Sequence, residues 1–472
     1  MKSGWVKTNV GELFEIKYGK SLPQKDRNPG SIKVYGSSGV IGEHDQGLTE
    51  QEAIIIGRKG SVGQISSSDG RCWPIDTTFY IDHFPCNIPL KYWELYFKSI
   101  GLDQHDQSSA IPGLSRSDIY GLEIPLPPVS EQHRIVAKLE KLLAKVDQCQ
   151  GRLEKIPGIL KQFRQKILTS AFTGELTRDY RETKTQDQTI ESILDDLKKA
   201  RLKNSATKKQ KESVEKFFAY DEKEKNALLP ESWGFVALNK LCQSFQYGSS
   251  KKSSPSGKFP VLRMGNIQKG EIDWSDLVYS SDDEEIRKYY LHPGTVLFNR
   301  TNSPELVGKA GIYRGEKPAI FAGYLIRINN FDVLNSEYLN YWLNSSFARQ
   351  LCREAKTDGV SQSNINAQKL SKFEIPFCDP EEQQIVVSRI KQYFHLADQI
   401  EHRYHKTKTH IDHLTRSILA KAFRGELVPQ DPDDEPAAEL LRRIKNEKDR
   451  QSPENKSGRN SKNQNQRKKA RA

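Results

Sequence analysis

Three short stretches carry residue types that could do chemistry. Gly19-Lys20-Ser21 has the glycine, lysine and hydroxyl that close a phosphate-binding loop, where backbone N–H groups cradle phosphates and the lysine neutralises them. The first glycine of such a loop would stand at position 14, which is Phe14, so the cradle is incomplete. "GRKGSVG" at 57–63 superficially resembles a phosphate loop, but no long helical pattern follows it. Asp282-Asp283-Glu284-Glu285 gathers carboxylates as a nuclease site does, yet only in composition, and a solvated loop is expected there. The chain has no Asn/Asp-Pro-Pro-Tyr/Phe segment to hold a flipped base, and no Ser/His/Asp order stands out. Six cysteines (Cys72, Cys86, Cys149, Cys242, Cys352, Cys378) lack the paired spacing of a zinc site or a disulfide framework, which fits a reducing cytoplasm. The chain reads as catalytically silent, with no cofactor of its own.

Recognition chemistry is better represented. Arg, Lys, Asn and Gln read base edges in the major groove, while hydroxyls and glycine-turn N–H groups contact phosphates. Such residues sit on glycine-rich loops in both halves of the chain: Tyr18, Lys20, Tyr35, Ser37, Ser38, Arg58, Lys59 and Ser61 in the first, and Tyr247, Lys251, Lys252, Arg263, Asn266, Arg300, Asn302 and Lys309 in the second. Each could equally be a solvated surface residue or a turn former. The formal charge of +12 agrees with a polyanionic partner. Half of it lies in residues 449–472, where eight Lys/Arg face only Asp449 and Glu454. That Asn/Gln/Ser-rich tail is expected to be disordered and weakly adhesive to nucleic acid. The segment "MKSGWVKTNVGELFEIKYGK" lacks the apolar stretch of a signal peptide, and no run approaches a membrane span of roughly 18 apolar residues, so a cytoplasmic protein is expected.

The elements that must position these loops are visible as a repeat. Residues 123–176 and 374–427 match at a fixed offset of 251 with 17 identities in 54 positions, from "EIP" at each start to "ILTSAFTGEL" and "ILAKAFRGEL" at each end. The period is too long for a solenoid and marks a duplicated module. Each copy reads as a helix. Asp379-Pro380-Glu381-Glu382 supplies an N-cap acceptor, a proline whose missing N–H costs nothing and acids against the helix dipole, while Gly174 and Gly425 stand as C-caps. Leu142, Val146, Cys149, Leu153, Ile156, Leu160, Phe163 and Ile167 alternate steps of four and three, a coiled-coil period. The second copy places Tyr393, Ala397, Ile400, Tyr404, Thr407, Ile411, Leu414 and Ile418 at the same points. "KIPG" at 155–158 and "KTKT" at 406–409 predict a kink or a loosened turn in both helices. Two heptad segments in one chain are best satisfied by packing on each other.

The flanks echo one another too. Trp5 matches Trp233, Tyr18-Gly19 matches Tyr247-Gly248, and Leu114, Ile119 and Leu122 fall at the offset of Ile365, Leu370 and Phe373. Between these flanks the two domains do not align. "TIESILDDLKKARLK" (189–203) and "PAAELLRRIKNEK" (436–448) each predict a short amphipathic helix. The expected class is α+β, with two mixed α/β domains separated by two long helices that form an antiparallel coiled coil with a pseudo-twofold internal repeat. The expected segments are 1–128, a recognition domain; 129–176, a spacer helix; 177–228, a linker with a short helix; 229–378, a second recognition domain; 379–427, a second spacer helix; and 428–472, a short helix and tail.

This order of parts, with "EIPLPPVSEQHRIVAKLEKL", "ILTSAFTGEL" and "ILAKAFRGELVPQDPDDEPAAELLRRIK", closely resembles the specificity subunit of type I restriction-modification systems. "VYGSSGVIGEHD", "IIIGRKGSVGQI" and "PVLRMGNIQKGEI" also look like segments of that family. The resemblance spans residues 1–448. It implies two target recognition domains, each reading one half of a bipartite, asymmetric target in double-stranded DNA, and helices that set the spacing and dock two modification (methyltransferase) subunits. Restriction (translocase/nuclease) subunits would join the full complex, and S-adenosylmethionine, ATP and Mg2+ would be used on the partner subunits. No membrane is implied. Phe172 with Glu175 and Phe423 with Glu426, at the repeated "AFxGEL" ends, are candidate partner anchors if the rings are exposed; the other reading is that both rings plug the end of the coiled coil. Two alternatives stay open: a self-contained restriction-modification enzyme with degenerate motifs, and a coiled-coil scaffold whose end domains bind proteins.

Overall fold

A computed structural model describes residues 2–102, 113–183, 189–205, 207–218, 229–359 and 362–451. Most of the basic tail, from residue 452 onward, lies outside the described residues. The chain closes into two compact units, residues 1–154 with 405–472 and residues 155–404.

The first unit contains a four-stranded antiparallel sheet in the order Lys17–Tyr18, Thr78–Ile81, Ile54–Gly57, Ile65–Ser67. A three-stranded sheet, Gly39–His44, Ile32–Gly36, Cys72–Pro74, lies beside it in sequence, with its last pair parallel. The pair Val6–Asn9 and Glu123–Leu126 joins the beginning of the domain to its end. The second unit repeats each sheet. Its four strands run Cys242–Tyr247, Leu325–Asn330, Thr295–Asn299, Ala310–Tyr313; its three run Val278–Ser280, Phe259–Leu262, Ile320–Phe321, again with a parallel last pair; and Gly234–Ala237 pairs with Glu374–Phe377. The interiors that do not align as sequence therefore share a topology. Strand order is fixed by which faces are buried, and Ile54-Ile55-Ile56 does that as well as Val296-Leu297-Phe298.

The first spacer helix runs Val129–Leu153 and resumes at Ile156–Phe172. Pro157 has no N–H to return to the Leu153 carbonyl, so the ladder loosens there. The second runs unbroken over Pro380–Phe423, which corrects the kink or loosened turn expected at "KTKT": that segment has no proline, so no N–H is missing from the helical ladder there. In the second unit Glu382 bonds Thr177, Arg389 bonds Leu176 and Asp179, and Tyr393 meets Phe163 at 6.3 Å. Glu401 and Asp398 both meet Arg164 at 2.7 Å. One helix is thus traversed backwards as the other advances, an antiparallel pairing. In the first unit Ile135 and Leu139 share a core with Ala422 and Phe423. The expected seam is only partly covered: Val146, Leu160 and Ala397 are buried, but Ile400 and Leu414 are 39% and 50% exposed and Cys149 is exposed. Two helices cover each other along one narrow stripe, and these positions stand off it.

Each unit also takes up a short amphipathic helix. Ile193 and Leu197 of Ile190–Lys203 enter the second unit's core, and Leu440 and Ile444 of Ala437–Gln451 enter the first. At matching places Arg201 donates to the Asn239 carbonyl and Lys448 to the Gly11 carbonyl, both at 2.9 Å. Burial holds both cations below their usual pKa. Among the described residues no helix is long and apolar enough to cross a membrane.

Candidate nucleic-acid interface

In the first unit the buried strand Ile54–Gly57 delivers Arg58 to the surface. Its backbone is held from two sides: the N–H donates to Thr77 O at 2.9 Å, and the C=O accepts from Leu114 N at 3.1 Å. The guanidinium therefore has a fixed base, and its Cζ lies 5.2 Å from the Tyr18 ring centre and 5.7 Å from that of Phe79. Tyr18 ends the edge strand, 49% exposed, with its ring edge against Phe79. The next residue must be glycine, because a Cβ at Gly19 would come within 2.0 Å of the Ile75 carbonyl oxygen. A second arginine reaches the same ring. Arg116 opens the helix Arg116–Gly121, whose Ser115 cap accepts from Asp118 N, and its Cζ lies 5.1 Å from the Tyr18 centre. Tyr120, 5.7 Å below Arg116, accepts from Ile16 N at 2.9 Å.

The second unit builds the same arrangement from a different sequence. Strand Thr295–Asn299 delivers Arg300, whose N–H donates to Tyr324 O at 3.0 Å and whose C=O accepts from Ile365 N at 2.9 Å. Its Cζ lies 4.5 Å from the centre of Tyr247, which ends the edge strand and is 39% exposed. Gly248 passes the Phe321 carbonyl as Gly19 passes Ile75. At the offset of Arg116 stands Ala367, whose N–H donates to the Tyr247 hydroxyl at 2.9 Å. An arginine on a tyrosine at the mouth of a four-stranded sheet is thus present twice. In each case the ring shields one face of the guanidinium, but the donors are used differently: Arg58 gives one bond, to the Asp76 carbonyl at 3.3 Å, whereas Arg300 reaches both the Gly323 carbonyl at 3.3 Å and Asn364 Oδ1 at 3.4 Å.

The other candidates divide. Ser37, Ser38 and Ser61 come together: the 57–63 segment is a turn between strands, a Cβ at Gly57 would meet the Ser61 and Ser37 carbonyls, and Gln64 reaches Ser38 O. Lys20, Lys59 and Lys252 are exposed. Asn302 accepts from Ser303 N, and Lys309, held below its usual pKa by burial and by Arg349, lies 3.5 Å from Gln268. Tyr35 and Asn266 are corrections. Tyr35 is 4% exposed with its hydroxyl on Ser67 O; Asn266 is 2% exposed, accepts from Arg263 N, and donates to the Asp273 and Asp276 carbonyls. Neither side chain has donors left to face outward. Arg263 pairs with Asp276 at 2.9 Å, and Lys251 with Asp282 at 2.6 Å. The acidic cluster is not a loop either: Asp282 caps the helix Asp283–Tyr289, accepting from the N–H groups of Glu284 and Glu285. Arg116 was missed by sequence reasoning, although its place directly after a serine cap was readable.

The helix ends are buried. Phe172 is 1% exposed against Tyr338, and Phe423 is 8% exposed against Tyr92 and Tyr96. The expectation of exposed aromatic anchors is corrected. Both rings fill domain cores because Gly174 and Gly425, each at φ +78°, turn the chain at once and bring the helix end down on the domain. Glu175 and Glu426 stay exposed and pair with Arg178 and Arg424. Trp5 and Trp233 donate to Glu131 at 2.9 Å and Glu382 at 2.8 Å, two fully buried carboxylates at the helix starts.

The comparisons with known proteins agree with this duplication. The family model for the type I restriction modification DNA specificity domain matches residues 2–157 and again 230–407. The EcoDI specificity subunit of a type I restriction enzyme from Escherichia coli is 26% identical over 456 residues, covering 94% of this chain and 95% of the relative. Among solved structures, a chain of a type I R-M system described for its complex assembly and conformational transition is 17% identical, covers 90% of this chain and 99% of its own length, and has a TM-score of 0.62. The HsdS subunit from Thermoanaerobacter tengcongensis is 17% identical, with coverages of 90% and 98% and a TM-score of 0.54.

Proposed function

The chain belongs to the type I restriction modification DNA specificity family, and on that premise we propose that it is the sequence-reading, non-catalytic subunit of a type I restriction-modification complex. The observation that carries this reading is the doubled arginine-on-tyrosine arrangement, Arg58 on Tyr18 and Arg300 on Tyr247, set on the same sheet topology in two domains that otherwise differ. Two equal supports with unlike surroundings suit a bipartite target whose halves have different sequences. One polypeptide can let its two readers diverge, which a homodimer cannot.

The helices set the distance between half-sites and dock two modification subunits. Ile159, Leu396, Ile400 and Leu414 support the docking role, since large apolar side chains left in water on these helices are of use to a partner. Methyl transfer, with S-adenosylmethionine, and DNA translocation and cleavage, with ATP and Mg2+, belong to the partner subunits, and the complex works in the cytoplasm. Mapping methylated bases across the host genome with and without this gene tests the reading. One bipartite motif is expected to lose its methylation; an unchanged methylation map would refute the proposal.

A further inference from the structure

We propose that Tyr18, Arg58 and Arg116 form a phosphate clamp that belongs to the first domain alone, so that the two half-sites are held by unequal electrostatics. The inference rests on the reading of both domains as DNA binders. Two guanidinium carbons lie 5.2 and 5.1 Å from one ring centre, so they are separated by no more than about 10 Å, roughly one Debye length at 0.1 M salt. Among the described residues no carboxylate pairs with either arginine, nor with the neighbouring Lys20 and Lys59. Among the described residues the two guanidinium groups give a single hydrogen bond, from Arg58 to the Asp76 carbonyl at 3.3 Å. Like charges are held together with no carboxylate among the described residues to offset them. A polyanion with several oxygens per charge, the phosphate backbone, completes that arrangement.

The second domain handles its cations differently. Ala367 replaces the second arginine and uses its N–H on the Tyr247 hydroxyl. Lys251 pairs with Asp282, Lys258 with Asp283 and Arg263 with Asp276. Arg300, Lys252 and Lys309 are left without a carboxylate among the described residues, with the Arg300 guanidinium already on the Gly323 carbonyl at 3.3 Å and on Asn364 at 3.4 Å, whereas the first domain offers Lys20, Arg58, Lys59 and Arg116. Counterions released on binding follow that difference, because each neutralised phosphate adds about 0.9 to the slope of log affinity against log salt.

The test is the salt dependence of duplex DNA binding by the full chain, as wild type, R116Q, R116K, the double variant R58Q/R116Q and K258Q, with thermal melting to confirm folding. R116Q is expected to lower the slope by about 1 and the double variant by about 2. R116K keeps the charge and is expected to keep the slope, and K258Q, which removes a cation already paired inside the protein, leaves it unchanged. Between ~50 and ~200 mM salt each lost unit of slope alters the fall in affinity about fourfold. A double variant with wild-type slope and affinity would overturn the clamp while leaving DNA reading intact. Relaxed base preference at unchanged slope would make these arginines base readers instead, and overturn the phosphate assignment. A wild-type chain that does not bind duplex DNA would defeat the clamp together with the reading it rests on.

Discussion

Glu131 and Glu382 occupy the same position of the repeat, are both fully buried, and both accept a tryptophan N–H, yet they are completed from opposite directions. In the first domain Lys2, arriving ahead of Trp5, reaches Glu131 at 3.4 Å. In the second, Arg181 and Thr177, arriving from beyond the helix end, reach Glu382, and Arg181 also lies over Trp233. The repeat therefore preserves the buried anion and the tryptophan that fixes it, and leaves the source of the cation free. What duplication protects is a charge that must be paired, since an unpaired buried carboxylate is costly whichever side chain could have paired it.

The comparison can be broken by removing each carboxylate. Glu382→Ala strands Arg181, which is largely buried, and is expected to cost about 3–5 kcal/mol. Glu131→Ala releases the more accessible Lys2 and is expected to cost about 1–3 kcal/mol. Chemical denaturation of the two variants would show the inequality; equal losses would mean that the source of the cation does not matter.

The adjacent glutamines give a smaller contrast. Gln383 accepts from Asn335 N at 2.8 Å and donates to the Val333 and Cys378 carbonyls, whereas Gln132 donates to Pro127 O and its Oε1 has no partner among the described residues. The reason lies in the helix each one faces. Asn335 caps Ser336–Leu343 with an N–H to give, but the matching cap of Leu90–Ser99 is Pro89, which has none. Gln383→Leu is expected to destabilise by about 1–3 kcal/mol and Gln132→Leu by under ~1 kcal/mol, read from the same denaturation curves.

Acid should weaken both units modestly. Burial raises the pKa of Glu94 and of Glu337, but Lys98 and Lys91 in the first case, and Arg314 and Lys391 in the second, outweigh it and hold both carboxyls below the usual range. With the folded pKa below the unfolded one, this stabilisation is present above about pH 4.3 and is lost as the pH falls through the depressed folded values. Melting temperatures measured from pH 6 downward should therefore fall less for Glu337→Gln than for the wild type; identical slopes would show that this carboxylate contributes nothing to acid lability.

Much of the frame was legible because it is local or repeated. The helix caps at Asp379, Gly174 and Gly425, the tryptophan anchors and the short amphipathic helices each announce themselves by residue type and spacing. The site was legible only in part. Tyr18, Arg58, Tyr247 and Arg300 were readable as polar groups beside glycine turns, but their stacking depends on strands brought together from 17–18 and 54–57, and from 242–247 and 295–299. Tyr35 and Asn266 have the right chemistry and the wrong direction, a matter of strand register and turn closure that composition does not record. The identical fate of Phe172 and Phe423, buried rather than displayed, follows from where each helix end lands, which is a tertiary fact.

The measurement that bears most directly on the central claim is a replacement of residues 1–128 by the corresponding domain of another member of the family, followed by mapping of the methylated target. If each domain reads its own half-site, one half of the bipartite motif changes while the other half stays as it was. A target left unaltered, or one altered in both halves at once, would contradict the account.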